Sequence, residues 1–249
     1  MIEERHFVVN MLLLIFSLIF FIDATEARIQ GVKQIKKQIE TGFIPGADGK
    51  LVSDNSEIEK LFDEKGNIIQ EKNTRIWPED GRTMKYRREN FFNSNNQLDS
   101  SVIYNNDKYS LKLIHKYDQS GKLTEIQEIN VEYKPGFLTK VFNDSLGYKI
   151  KEELYDKNNK LYNFKVYAYD KKKNLKDESG TEQGTKRYHW TYKYNKKNLL
   201  TERKDFSGQE VLLRKHKYEY DKEDRLVREN IYSANGTLER VVKVRYEFY

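Results

Sequence analysis

A seven-residue unit recurs through most of the chain: an aromatic residue, a polar turn, and an aliphatic residue at the end. It reads "FDEKGNI" at Phe62, "FNSNNQL" at Phe92, "YDQSGKL" at Tyr117, "YDKNNKL" at Tyr155 and "YDKKKNL" at Tyr169. It returns as "YNKKNLL" at Tyr194, "FSGQEVL" at Phe206, "YDKEDRL" at Tyr220 and "YSANGTL" at Tyr232. Seven of these nine units carry Gly, Asn or Asp at the fifth position: Gly66, Asn96, Gly121, Asn159, Asn198, Asp224 and Gly236. Those residue types tolerate a left-handed backbone. The pattern is that of a type I turn followed by an αL residue, which reverses one strand into the next.

Successive units lie 30, 25, 38, 14, 25, 12, 14 and 12 residues apart, and a further turn at "FNDSLGY" divides the longest gap. These spacings cluster near one or two multiples of a strand-plus-turn module of 12–14 residues. Between the turns, alternation at period two is legible. Tyr109, Leu111, Leu113, His115 and Tyr117 share one side, as do Tyr162, Phe164 and Val166, and Val242, Val244, Tyr246 and Phe248. The opposite positions are largely Lys, Glu, Arg, Thr and Asn, which predicts a sheet with one wet face. The expected architecture is therefore all-β: an antiparallel meander of hairpin repeats forming an open or curled extended sheet.

The units "YDQSGKL", "YDKNNKL" and "YDKEDRL" resemble the Y-D-x-x-G-x-L core of the YD repeats of Rhs-type bacterial wall and toxin-shell proteins. "YSANGTL" is similar to the turns of bacterial MORN-like repeats. The resemblance spans roughly residues 60–245 as a turn signature, and glycine is often replaced by Asn, Lys or Asp. It implies a bacterial, surface-associated β-repeat protein and carries no activity with it.

The N-terminus sets the compartment. Residues 7–22, "FVVNMLLLIFSLIFFI", form an apolar run of signal-peptide size, and Thr25 and Ala27 supply small residues for cleavage before Arg28. An uncleaved N-terminal anchor is the alternative, because the preceding "MIEERH" carries Glu3 and Glu4 against Arg5. Both readings export the body of the chain to the periplasm, the cell surface or the medium. Losing the first 27 residues removes one basic and four acidic residues, so 45 Lys and Arg against 39 Asp and Glu become 44 against 35. The charges alternate in sign along the chain, which reads as a solvated surface and not as a nucleic-acid footprint. Cysteine is absent, so neither disulfides nor a lipidated cysteine contribute.

Residues 28–40 place Ile29, Val32, Ile35 and Ile39 at three- and four-residue spacing, which predicts a short amphipathic helix. Thr41, Gly42, Pro45, Gly46 and Gly49 follow, so residues 41–56 read as an irregular linker. The expected organisation is a signal peptide over 1–27, a short helix and linker over 28–56, and a hairpin-repeat domain over 57–249.

Motifs of catalysis are missing. There is no G-x-S-x-G elbow, no phosphate loop, no cysteine ligand set and no H-E-x-x-H. His115, His189 and His216 sit singly in predicted strands and read as partly exposed strand residues. No catalytic, cofactor or metal site is expected. One aromatic face stands out in "KRYHWTYKY", where Tyr188, Trp190, Tyr192 and Tyr194 alternate with polar residues. It reads either as core, in phase with the turn aromatic Tyr194, or as a platform for sugars or peptides. A membrane barrel is disfavoured, since strands such as "KYEYDKE" and "LTERKDF" give no apolar band. The function expected is a non-catalytic binding or cell-envelope interaction module, with a glycan, an envelope component or another protein as partner and membrane contact only through an uncleaved N-terminus. An enzyme acting on an extracellular polymer is the alternative. Repeats favour the first, because they spread similar residues over a surface whereas catalysis needs a unique constellation.

N-terminal sequencing of exported protein should begin at Arg28. Recovery of intact Met1 in a membrane fraction would instead establish the anchor.

Overall fold

The computed structural model describes residues 34–249 except 78, 79 and 133; the apolar N-terminal segment therefore lies outside the described residues. Sixteen strands and no helix are present among the described residues. They run β1 (Ile35–Pro45), β2 (Leu51–Phe62), β3 (Ile68–Ile76), β4 (Thr83–Phe92), β5 (Leu98–Asn105), β6 (Lys108–Tyr117), β7 (Leu123–Asn130) and β8 (Pro135–Asn143). The second half comprises β9 (Lys149–Tyr155), β10 (Leu161–Tyr169), β11 (Leu175–Glu182), β12 (Thr185–Tyr194), β13 (Leu200–Ser207), β14 (Leu212–Tyr220), β15 (Leu226–Ser233) and β16 (Leu238–Phe248). Each strand pairs antiparallel with its neighbours in the chain, and β1 also pairs with β16, so the meander closes into a barrel.

All nine repeat units are hairpin turns. The seven expected positions have φ between 59° and 89°, and Lys173 (69°) and Glu210 (61°) adopt the same conformation in the two units without Gly, Asn or Asp there. In the turn at Asp118 the backbone N–H of Asp118 donates to Lys122 O (2.9 Å) and that of Gly121 to Asp118 O (3.0 Å). The Asp118 carboxylate accepts from the backbone N–H of Ser120 (2.8 Å) and Lys122 (2.9 Å), which explains the Asp or Asn after the aromatic residue. The aromatic residue has its own tie. The hydroxyls of Tyr117, Tyr169, Tyr220 and Tyr246 donate to the carbonyls of Leu98, Lys149, Leu200 and Leu226 at 2.8–2.9 Å, each the first residue after a turn on the adjacent strand.

Three expectations are corrected. The sheet is closed and not open or curled, because β1 supplies the partner that the free edge of β16 needs: Ile35 through Phe43 register against Phe248 through Val241. The stretch read as helix is strand from Ile35 onward, and the stretch read as linker holds the end of β1, its turn and the start of β2. Ile35 and Ile39, four apart, suit either period; hydrogen-bonded ladders to β2 and β16 on both sides outweigh the weak propensity of a short helix. Pro45 is tolerated as the last residue of its strand and Pro135 as the first.

The third correction concerns the faces. Along β16, Glu239, Lys243, Arg245 and Glu247 are exposed while Arg240, Val242, Val244 and Tyr246 are not. Carrying that phase from strand to strand puts Leu111, Leu113 and His115 on the inner face but Phe164 on the outer one. Both faces are mixed and rich in charge; the single shared apolar face is absent.

Closure is braced from inside. Arg240 on β16 reaches across β1, donating from Nε to Asp54 Oδ2 (2.6 Å) and from Nη2 to Ser56 Oγ (2.7 Å) on β2. It passes over Gly42, where a Cβ would collide with all three side chains. Beyond the last strand, the Tyr249 hydroxyl donates to Phe62 O at 2.6 Å. Replacing Gly42 by Ala should cost about 1–3 kcal/mol through overpacking. Arg240→Met should lower stability too, and the double variant should lose less than the sum, as side chains in contact do. Strictly additive denaturant midpoints would show that the brace is not the cause.

Candidate functional site: the polar interior

A sixteen-stranded barrel is wider than its side chains can fill with apolar groups, and wide barrels leave aqueous lumens. The inner face accordingly mixes aliphatic residues such as Ile103, Leu111, Leu113, Val141, Val242 and Val244 with charged and phenolic ones. Its densest part runs over β12 to β15. Tyr192 is 4% exposed, and Glu178 on β11, opposite Trp190, is 6% exposed. Tyr188 donates to Glu178 Oε1 at 2.8 Å, and its ring packs against Trp190 with centroids 4.5 Å apart. Gly180 lies beneath the Tyr188 ring, where a Cβ would strike it. The Arg203 guanidinium sits 5.1 Å above the Trp190 ring. Tyr194 ends β12 half-buried at the rim. The structure thus brings Tyr188, Trp190 and Tyr192 together on the inner wall, shared with an acid and a base.

Next to them lies a node that the sequence did not reveal. His216 Nδ1 is 2.8 Å from Glu229 Oε1, and Nε2 is 3.0 Å from Asp205 Oδ2. Arg203 donates to the same Asp205 through Nε (2.7 Å) and Nη2 (3.0 Å). Burial opposes ionisation of His216, but the two carboxylates outweigh it and raise its pKa. Burial likewise opposes ionisation of Asp205 and Glu229, and the hydrogen bond and charge of His216, with Arg203, bring both below the usual carboxylate range. Below about pH 6.5 the node is therefore two cations on two carboxylates. Arg203 Nη2 also lies 2.9 Å from His216 Nε2; both are donors in this state, so their meeting point is the Asp205 carboxylate.

The same logic recurs around the wall. Lys60 on β2 donates to Glu40 on β1 at 2.6 Å, and Glu40 holds its pKa up against burial. Glu152 on β9 accepts from Tyr167 (2.7 Å) and Lys149 (2.6 Å), and the lysines around it keep it ionised despite burial. His115 is the exception: burial drives its pKa down to about 4, and its Nδ1 has no hydrogen-bond partner.

This arrangement is suited to holding charge, not to transferring it. Both nitrogens of His216 are engaged by carboxylates, which leaves none to accept a substrate proton. No group of three or more potential ligands is placed to hold a metal ion among the described residues. The reading of the histidines as partly exposed is corrected for His115 and His216, which are 8% and 5% exposed. They lie on the concave side, a distinction that period-two alternation cannot make.

The class defined here is a closed up-and-down β-barrel with a polar, ion-paired interior. No protein-family model and no curated protein matches the chain. Among solved structures, a porin-like protein from Bacteroides uniformis ATCC 8492 shares this fold, with a TM-score of 0.58 and 12% identity over 86% of this chain and 98% of that one. A part of the Photorhabdus luminescens Tc holotoxin pore matches with a TM-score of 0.38 and 11% identity, over 77% of this chain but 12% of that one, too weakly to bear on the fold.

The two buried histidines give opposite pH dependences. Because His216 has a raised folded pKa, its stabilisation is complete below its unfolded pKa of about 6.5 and lost as pH rises through the folded value. His115, near 4 when folded, makes stability fall as pH drops below about 6.5. Denaturant midpoints should therefore peak in between. His216→Gln should cost about 3–5 kcal/mol at pH 6 and flatten the alkaline limb. An unchanged alkaline slope in that variant would dismiss the His216 node as its source.

Proposed function

We propose that the chain is an exported barrel that stands in water and works without catalysis, as a binding or cell-envelope interaction module. The observation that carries this reading is the outer wall. At its middle, strand after strand presents a charge: Lys37, Glu59, Lys72, Arg87, Lys112, Lys140, Lys151, Lys204 and Lys243. Several are paired across the surface, as Lys37 with Glu59 (2.6 Å), Lys151 with Glu153 (2.6 Å) and Lys116 with Glu125 (2.9 Å). On a lipid-facing strand each Lys or Arg near the midplane costs about 2–4 kcal/mol, and a spanning barrel needs an apolar band about 25 Å tall. The charge on so many strands is incompatible with that band.

The interior supports the non-catalytic part, since the acids and bases of its densest node, Arg203, His216, Asp205 and Glu229, are committed to one another. The apolar run over 7–22 supports export to the periplasm, the surface or the medium. An enzyme acting on an extracellular polymer would need an acid or base left free at a cleft, and the interior node supplies none. The likeness to a porin-like protein concerns architecture and leaves the outer wall to decide the solvent.

Protein expressed from Arg28 onward should purify as a dispersed species without detergent, fail to float with liposomes and produce no conductance in planar bilayers. Dependence on detergent together with stepwise conductance would overturn the reading in favour of a membrane pore.

A further inference from the structure

The outer wall is not uniformly neutral. Across the closing seam, from β14 through β15 and β16 to β1, Lys217, Arg228, Lys243 and Arg245 make no ion pair within 4 Å among the described residues. Arg228 and Lys243 stand directly opposite each other on the β15–β16 ladder. Like charges in that position destabilise a sheet. Glu219 faces Arg228 on the other side, yet its carboxylate accepts from Asn230 Nδ2 at 2.6 Å, and Arg228 Nε donates to Asn230 Oδ1 at 2.8 Å.

Three of these cations, Arg228, Lys243 and Arg245, line a depression. A groove of about 600 Å³ opens there, bordered by Thr41, Phe43, Glu219, Arg228, Lys243 and Arg245. Lys243 Nζ rests 4.5 Å from the centroid of the Phe43 ring. The lining thus combines three cations, one acid, a hydroxyl and an aromatic face with two valines, Val227 and Val244, and most of its exposed surface is apolar. Side chains opposed across strands lie about 5 Å apart and those two residues apart on a strand about 7 Å apart. Arg228, Lys243 and Arg245 therefore occupy neighbouring outward positions about 5–7 Å apart, in an open groove and not on a protruding ridge.

We propose that this groove binds an acidic glycan, a chain bearing carboxylate or sulfate groups whose charges sit between Arg228, Lys243 and Arg245 while a sugar face meets Phe43 and Thr41. The opposed like charges are then relieved when the ligand is bound. The inference rests on the reading of the barrel as a water-exposed binding module and gives that module a ligand class.

Binding of a polygalacturonate oligomer, a heparin-type oligosaccharide and a neutral dextran oligomer to the soluble protein tests it, with anionic lipid vesicles as a fourth probe. Both acidic oligomers should bind, less tightly as salt rises, and dextran should not. Arg228→Gln with Lys243→Gln should weaken binding by about tenfold or more, without lowering the thermal midpoint. Lys157→Gln with Lys196→Gln removes the same charge from exposed turns and should leave binding unchanged. Equal losses in the two variants, binding of vesicles alone, or a fall in midpoint that accounts for the lost affinity would overturn the proposal. A folded, detergent-free barrel that ignores both acidic oligomers overturns this inference alone; a barrel that inserts into bilayers overturns the reading beneath it.

Discussion

A β-sheet ends in two rows of unpaired N–H and C=O groups, and in this chain each row is the other's partner. The ladder between β1 and β16 leaves no edge among the described strands, which removes the template for pairing with other chains. Everything else follows from that join. It sets an inside and an outside, and it demands that the first strand be thin enough for Arg240 to reach over Gly42 to Asp54. The carboxylate of Asp54, pushed up by burial but brought below its usual range by Ser56 and Arg240, is the anchor of the brace.

Once the ring is closed, its width governs the interior. Small barrels fill themselves with aliphatic side chains, whereas a wide one must line a space that water can enter. The chain answers with pairs: Lys60 with Glu40, Arg203 and His216 with Asp205 and Glu229, tyrosine hydroxyls with Glu152 and Glu178. Removing one member of such a pair strands the other, so the wall is sensitive to single substitutions even though each pair contributes little net stability. Tyr188, Trp190 and Tyr192 belong to this wall, where they shield the charges beside them as much as they bury themselves.

The outer wall follows the opposite rule. Its ion pairs are solvated, screened and individually weak, and together they leave no continuous apolar band around the wall. Against that background the seam combines three features: it is where the first and last strands meet, where a groove forms, and where Arg228 and Lys243, like Lys72 with Arg87 and Lys204 with Lys215 elsewhere, face each other as like charges.

Much of this architecture was legible in the sequence. The seven-residue units specified their turns, down to the left-handed residue, because φ/ψ preference and the Asp or Asn hydrogen bonds are local. Strand alternation was equally local. The tertiary structure alone decided closure, since nothing in residues 35–56 announces that their partner lies some 200 residues away, and a four-residue spacing of Ile35 and Ile39 satisfies helix and strand alike. It also decided which polar face is concave. Phe164 outside and His216 inside obey the same period of two, and only the curvature of the closed sheet, a property of all sixteen strands at once, determines which is solvated and which is paired.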